Sequence, residues 1–377
     1  MQVSRKVADP VVVAPVGYAP PGLRIEAFSR YREVLHRREE DGVQVYHPRV
    51  PVGPGTLLLS LEARLAYPFL RRVVDRLHRE HRFSLIHAHF IYPDGVIAAR
   101  LSRRYSIPVI TTEQSVWGPA FSRYPAMHRQ VLTALPHIRM VTAVSDAVRE
   151  SFVAACGDSV PIRILPNVVD ESSFPAPKHD EPWDPDQILF VGLVRKVKGL
   201  DTLVRAMARL REIRPETRLV VIGGTFFPGQ ERDFDEVKRL VRELHLESHV
   251  RFAGHAGPTE VAAAMRRSAL LVLPSRREAF PAVILEALAS GTPVVATRCG
   301  GPEEVVTSEV GRLVPPEDPE ALSTAIQEML EVRPLLDRNV LREYVVSRYG
   351  VTAVAARFAS IYGEVLEGAG ESELASV

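Results

Sequence analysis

Only two cysteines, Cys156 and Cys299, occur in a chain of 377 residues, far apart and in no metal-ligand or dithiol spacing. That excludes a disulfide-stapled scaffold and a cysteine-rich zinc module, and it suits a reducing, cytoplasmic compartment. No stretch approaches 18 continuous apolar residues, so no membrane-spanning helix is expected. The leader "MQVSRKVADPVVVAPVG" has too short an apolar segment for a secretory signal. The Walker spacing of glycine, lysine and serine or threonine is missing, and so is a GxGxxG fingerprint. Charge of one sign is missing too, since 47 basic residues face 46 acidic ones.

That balance hides a division. Residues 1–165 contain 22 basic and 14 acidic side chains, and the remainder 25 and 32. A negative second half without a recognition constellation argues against nucleic acid as a partner. Basic charge concentrates in "RLAYPFLRRVVDRLHREHR", where Arg64, Arg71, Arg72, Arg76, Arg79 and Arg82 accompany Leu65, Phe69, Val73 and Leu77. The spacing predicts a basic amphipathic helix, suited to an anionic membrane surface, an acidic ligand or plain solvent.

The length exceeds one comfortable core and predicts two domains. Aliphatic runs such as "SLIHAHF", "IPVITTE", "QILFVGLV", "TRLVVIGG" and "ALLVLPS" alternate with helical segments near 94–104, 124–136, 145–155, 199–213, 231–245, 258–267, 281–290 and 318–331. Strands that are aliphatic throughout predict parallel sheets covered on both faces, hence an α/β, doubly wound fold. The polar interval "VVDESSFPAPKHDEPWDPD" separates two such series, and residues 364–377 read as a frayed tail. Ligands belong at the carboxyl ends of parallel strands, where Gly192, Gly223, Gly224, Ser275, Gly300 and Gly301 fall.

Three clusters there suit chemistry. "GLVRKVKGLDTLVRAM" places Gly192, Arg195, Lys196, Lys198 and Gly199 before a helix, which fits phosphate or a solvated basic loop. In "SRREAFPAVILEALAS", Glu278 precedes an apolar helix and Glu286 lies inside it. Eight helical steps of about 1.5 Å make them poor partners for an acid pair but good contacts at two ends of one elongated ligand, each accepting hydroxyl hydrogen bonds. "TRCGGPEEVV" sets Gly300 and Gly301 before a proline-led helix, where open amides suit an anion and Glu303 and Glu304 suit a cap. In the first half, His87 and His89 flank Ala88 on one strand face, as a metal pair or as structural groups.

VGLVRKVKG, PSRREAFPAVILEALASGTPVVAT and GGPEE together resemble the donor domain of family 4 retaining glycosyltransferases, and the likeness extends through "LIHAHFIYPDGVIAARLSRRYSIPVITTE". The resemblance implies a GT-B fold: two doubly wound Rossmann-like domains facing a cleft. Residues 1–166 would be the acceptor-side domain, without the family's usual first strand, glycine-rich turn and helix. Residues 167–344 would bind donor, and 345–377 would form a C-terminal helix packing back toward the first domain, then a tail.

By the same resemblance Lys198 and Glu278 are catalytic, with Lys198 at the donor diphosphate and Glu278 at the sugar. Glu286 would hold the ribose. Backbone around Ala279, Phe280 and Pro281 would orient the donor, with Gly192, Arg195, Ser275, Gly300, Gly301 and Glu304 completing the donor site. Leu193 stands where the family often has arginine, Val168 where it has glycine after Asn167, and Gln114 where it has histidine, beside Glu113. The implied reaction moves a sugar from a nucleotide diphosphate sugar, the donor substrate, to an acceptor hydroxyl with retention and without cofactor or metal. A polyprenyl-linked or other saccharide acceptor, cell-envelope or exopolysaccharide synthesis, and peripheral contact with the inner face of the membrane are implied. Nucleotide-sugar epimerisation, the remoter glycoside phosphorolysis and noncatalytic donor binding are the alternatives.

Overall fold

A computed structural model describes residues 2–18, 33–51, 60–118, 124–178, 181–225 and 231–374. The chain divides into two compact units, one of residues 1–166 with 355–377 and one of residues 167–354.

After one helical turn, Gln2–Arg5, the first unit has short strands β1 (Val11–Val13), β2 (Val16–Tyr18), β3 (Arg37–Glu40), β4 (Val43–Tyr46) and β5 (Arg49–Pro51). They form a three-stranded sheet ordered β1-β4-β3 and a β2-β5 pair. β3 runs antiparallel to β4, unlike the parallel pairing expected throughout. Its sequence, RREE, has no apolar residue and gave no strand signal. Helix α1 (Glu62–His81) follows, then β6 (Ile86–His89), α2 (Val96–Tyr105), β7 (Val109–Glu113), α3 (Pro125–Ala134), β8 (Met140–Ala143), α4 (Asp146–Cys156) and β9 (Ile162–Ile164). The last four strands form a parallel sheet in sequential order.

α1 buries Ala63, Ala66, Leu70, Val74 and Leu77, a stripe at helical spacing. Leu65 and Phe69, grouped with Leu77 in the sequence reading, instead lie on the other side and are each 38% exposed.

The second unit contains β10 (Asp184–Val191), α5 (Leu200–Ile213), β11 (Arg218–Ile222), α6 (Glu231–Glu243), β12 (Val250–Gly254), α7 (Pro258–Arg267), β13 (Ser268–Leu273), α8 (Ala282–Ala289), β14 (Val294–Thr297), β15 (Gly311–Val314), α9 (Pro319–Val332) and α10 (Arg338–Tyr349). Its six parallel strands are ordered β12-β11-β10-β13-β14-β15. Counted along the unit this is 3-2-1-4-5-6, a doubly wound sheet. Ile188 and Phe190 of β10 join a core with Leu203, Met207, Leu240, Ile326 and Met329. The intervening Leu189 is also fully buried, so both faces are covered and the strand carries no polar alternation. Order reverses between β10 and β13, and loops leaving those strands diverge there.

The final helix, α11 (Val351–Leu374), corrects the expected tail. Val354, Phe358, Ile361 and Val365 are buried, a pattern that continues past residue 364. Glu364 pairs with Arg163 at 2.9 Å. Among the described residues no helix is long and apolar enough to cross a membrane.

Asp94, in the helical turn Ile91–Gly95 before α2, has its carboxyl pushed up to about 6, by burial first and then by the charge of Glu62. Glu62 is itself raised by burial. The folded chain therefore keeps a proton that the unfolded chain releases near pH 4. This contribution to stability is complete below that pH and is lost by roughly 3 kcal/mol as pH rises through about 6. Asp94→Asn is expected to reduce the fall to the part owed to Glu62 and to raise the unfolding midpoint at neutral pH, as measured by urea unfolding across this window.

Candidate active site

Three loops meet at the carboxyl ends of β10, β13 and β14, where the sheet reverses order. The first passes through Gly192 and Arg195 into the turn Lys196–Lys198 and then α5. Its conformation depends on Gly199, at φ +67°, because a Cβ there would lie 1.9 Å from the Pro274 carbonyl oxygen. The second loop holds Ser275, Glu278, Ala279, Phe280 and Pro281 and enters α8. The third, after β14, holds Cys299, Gly300, Gly301 and the turn Gly301–Glu304.

Backbone bonds lace these loops together. Arg276 N donates to Val197 O at 2.8 Å, Glu278 N to Cys299 O at 3.1 Å and Gly301 N to Glu278 O at 3.1 Å. The sequence reading left the amides of Gly300 and Gly301 open to an anion, and here they are engaged. Gly300 N donates to the Glu303 carboxylate at 2.8 Å. Gly301 is buried, and a Cβ on it would approach the Ala279 carbonyl oxygen to 2.3 Å. The second glycine serves loop contact, and the cap belongs to Glu303.

Lys198 and Glu278, assigned to chemistry from the sequence, come together. Lys198 Nζ lies 2.6 Å from Glu278 Oε1. The same oxygen accepts from Ser275 Oγ at 2.6 Å. Glu278 is 8% exposed, while the lysine side chain, 28% exposed, opens to solvent. Thr297 Oγ1 donates to the Ser275 carbonyl and fixes the serine from behind.

Glu286 is on α8 and half-buried, with no hydrogen bond to its carboxylate among the described residues. Burial raises its pKa. Phe280 packs its ring on Tyr349 at 5.5 Å and gives its carbonyl to Asn167 Nδ2 at 3.0 Å. Pro281 caps α8 and accepts from Ile284 N. Arg195 is exposed, and Glu304 lies in the third loop with its carbonyl taken by the Tyr349 hydroxyl. The thiol of Cys299, beside Glu278, is pushed up to about 11, chiefly by burial.

Sequence reasoning passed over Arg276 and Asp201. The guanidinium bonds Asp201 through two nitrogens at 2.9 and 2.8 Å and Glu317 at 2.7 Å. The available signal was an arginine between Ser275 and Glu278, with an aspartate in the first turn of α5.

The first unit has a separate polar group at the ends of β6 and β7. His87 Nδ1 is 2.9 Å from the Tyr362 hydroxyl and Nε2 2.6 Å from Thr112 Oγ1. Burial, then the neighbouring His89, pushes its pKa down to about 3, so the ring is neutral. With both nitrogens occupied, His87 cannot ligate a metal in this arrangement. His89 Nδ1 meets Gln114 Nε2 at 3.2 Å. Glu113, only 1% exposed, accepts from the amides of Ile91, Gln114 and Ser115 and from the Ser115 hydroxyl. It holds the turn rather than offering a free base.

Residues 8–173 match the profile Glycosyltransferase Family 4, and residues 173–345 match Glycosyl transferases group 1. The chain belongs to family 4 of the glycosyltransferases. It is an enzyme of the GT-B class, which transfers a sugar from a nucleotide-sugar donor to an acceptor. A D-inositol 3-phosphate glycosyltransferase of Kineococcus radiotolerans is 29% identical over 349 residues, covering 82% of this chain and 79% of that protein. A glycogen synthase of Mycobacterium tuberculosis is 27% identical over 298 residues, covering 75% and 69%. Among solved structures, sucrose-phosphate synthase from Thermosynechococcus elongatus superposes with a TM-score of 0.74 at 24% identity, covering 89% of this chain and 87% of that one. Anabaena HepE in complex with UDP gives 0.75 at 20%, covering 96% and 94%. These likenesses show the two-lobed GT-B fold of the glycosyltransferase chain.

Gly199→Ala is expected to cost on the order of 2 kcal/mol or more, since the added Cβ meets a carbonyl as well as a positive φ. Urea midpoints of Gly199→Ala and the parent chain check the loss.

Proposed function

We propose that the chain is a retaining glycosyltransferase in which Lys198 and Glu278 act on a nucleoside diphosphate sugar. The observation that supports this most is the 2.6 Å contact between them at the reversal of the parallel sheet. A cation and an acid, each able to leave the other, suit opposite ends of the bond that breaks. Lys198 neutralises the departing diphosphate, and Glu278 accepts hydroxyl hydrogen bonds from the sugar. Glu286, without a protein partner among the described residues, holds the ribose. Gly192, Arg195, Ser275, Ala279, Phe280, Pro281, Gly300, Gly301 and Glu304 form the surrounding donor site. With Glu113 committed to its turn, departing phosphate takes the acceptor proton, and attack on the face of departure retains configuration.

The acceptor is a saccharide hydroxyl, carried on a polyprenyl diphosphate in cell-envelope or exopolysaccharide synthesis. Membrane contact is made by α1 from the cytoplasmic side. Opposite its buried stripe, Leu61, Leu65 and Phe69 are 38–40% exposed. They recur every fourth residue among the exposed Arg64, Arg72, Arg76 and Arg79. Apolar groups within a basic face match an anionic lipid surface.

Lys198→Met and Glu278→Gln are each expected to reduce transfer about 10²- to 10³-fold. The assay offers a panel of nucleotide sugars with membrane-lipid extract and reads product and anomeric configuration by mass spectrometry and NMR. An inverted product, an epimerised donor, or donor binding without turnover would each defeat the reading. Leu65→Ser with Phe69→Ser should abolish flotation with phosphatidylglycerol vesicles and leave transfer to a soluble acceptor intact. Unchanged flotation would remove α1 as the contact.

A further inference from the structure

Arg276 lies two residues before Glu278, yet its side chain turns toward the loop that carries Lys198. Its guanidinium donates to both oxygens of Asp201, at 2.9 and 2.8 Å, to Glu317 at 2.7 Å and to the carbonyl of Lys196. Its own backbone amide donates to Val197 O at 2.8 Å. One residue therefore binds two successive carbonyls of the lysine turn and the first turn of the helix behind it. From the other side, Asp233 accepts from Lys196 N at 2.8 Å.

A surface ion pair would ordinarily contribute little. This one differs in geometry and environment: the Arg276 side chain is 19% exposed, the contact with Asp201 is bidentate, and a third carboxylate bond completes the fork. Arginine can satisfy all these acceptors at once because its donors are fixed in a plane, which lysine cannot reproduce. The result is a rigid connection between the backbone bearing Lys198 and the backbone bearing Glu278.

We propose that Arg276, clamped by Asp201, is a positioning residue for sugar transfer: it sets the Lys198 turn against the Glu278 loop, so that cation and carboxylate meet the donor at a fixed spacing. Arg276 touches neither sugar nor phosphate and acts through Lys198. The inference rests on the reading of Lys198 and Glu278 given above. A shift of about 1 Å in a reacting group costs about 10²-fold in rate, which gives the scale of the expected effect.

The test measures kcat and donor KM for Arg276→Met, Arg276→Lys and Asp201→Asn, each alone and combined with Lys198→Met, with thermal midpoints and far-UV circular dichroism to confirm folding. Arg276→Met and Asp201→Asn are expected to lower kcat/KM about 30- to 100-fold. Arg276→Lys should lower it about tenfold, because charge is retained and the fork is lost. In the Lys198→Met background each of these changes should cost less than twofold, since the group being positioned is gone. A purely structural role would instead cost the same factor in both backgrounds, and that outcome overturns the proposal. Transfer by Arg276→Lys and Arg276→Met within threefold of the parent also overturns it. Arg276→Lys carries the test if the methionine variant does not fold. Wild-type transfer by Lys198→Met itself would bring down the underlying assignment, a result distinct from failure of the clamp alone.

Discussion

The reversal of strand order between β10 and β13 is the constraint on which the candidate active site depends. Parallel strands send their carboxyl-terminal loops to one edge, and at a reversal neighbouring loops part in opposite directions. Here the loops after β10 and β13 part far enough to hold side chains between them but stay near enough for Arg276 N to reach Val197 O. Lys198 and Glu278, 80 residues apart in the chain, meet for that reason. The aliphatic strands and their helices hold this edge rigid, and the candidate site is confined to short loops upon it.

Close approach is the second ingredient. Gly199 lies against the Pro274 carbonyl, Gly223 against that of Gly192, and Gly301 against that of Ala279, all at separations that a Cβ would block. Each glycine lets one loop rest on another. The loops form a single laced surface, and Glu278 is held by backbone bonds from the third loop while its side chain meets Lys198 of the first and Ser275 of its own. The first unit follows a different economy of polar groups: Glu113 and His87 spend their hydrogen-bonding capacity on the protein itself.

Much of this was legible in the residues. Strands buried on both faces are aliphatic runs, and the βα rhythm of the second unit, with the positions of Lys198, Glu278 and Glu286 after or within its elements, could be read from the chain. β3 was not legible, because RREE carries no apolar signal. The helical course of α11 beyond residue 364 was obscured by its small and acidic residues, although Val365 is buried. Gly300 and Gly301 suggested open amides because a glycine pair before a helical turn has two uses, anion binding and tight contact, that composition cannot separate. Arg276 was passed over for a similar reason: an arginine in a loop reads as solvated until its acceptors, drawn from three segments, are seen around it.

The oxygen that Glu278 shares between Lys198 and Ser275 has a consequence for turnover. The site carries its own counter-ion, so on the proposed reading donor entry is an exchange of partners. A nucleotide sugar replaces both: phosphate takes the lysine, and sugar hydroxyls take the carboxylate. The spent nucleoside diphosphate satisfies only the lysine and leaves the nearly buried carboxylate with the Ser275 hydroxyl alone. Glu278 then competes with the product for the same ammonium group, and reclosure of the internal ion pair favours product departure. On that reading the Lys198–Glu278 ion pair lets the site discriminate between the donor it consumes and the nucleotide it discards.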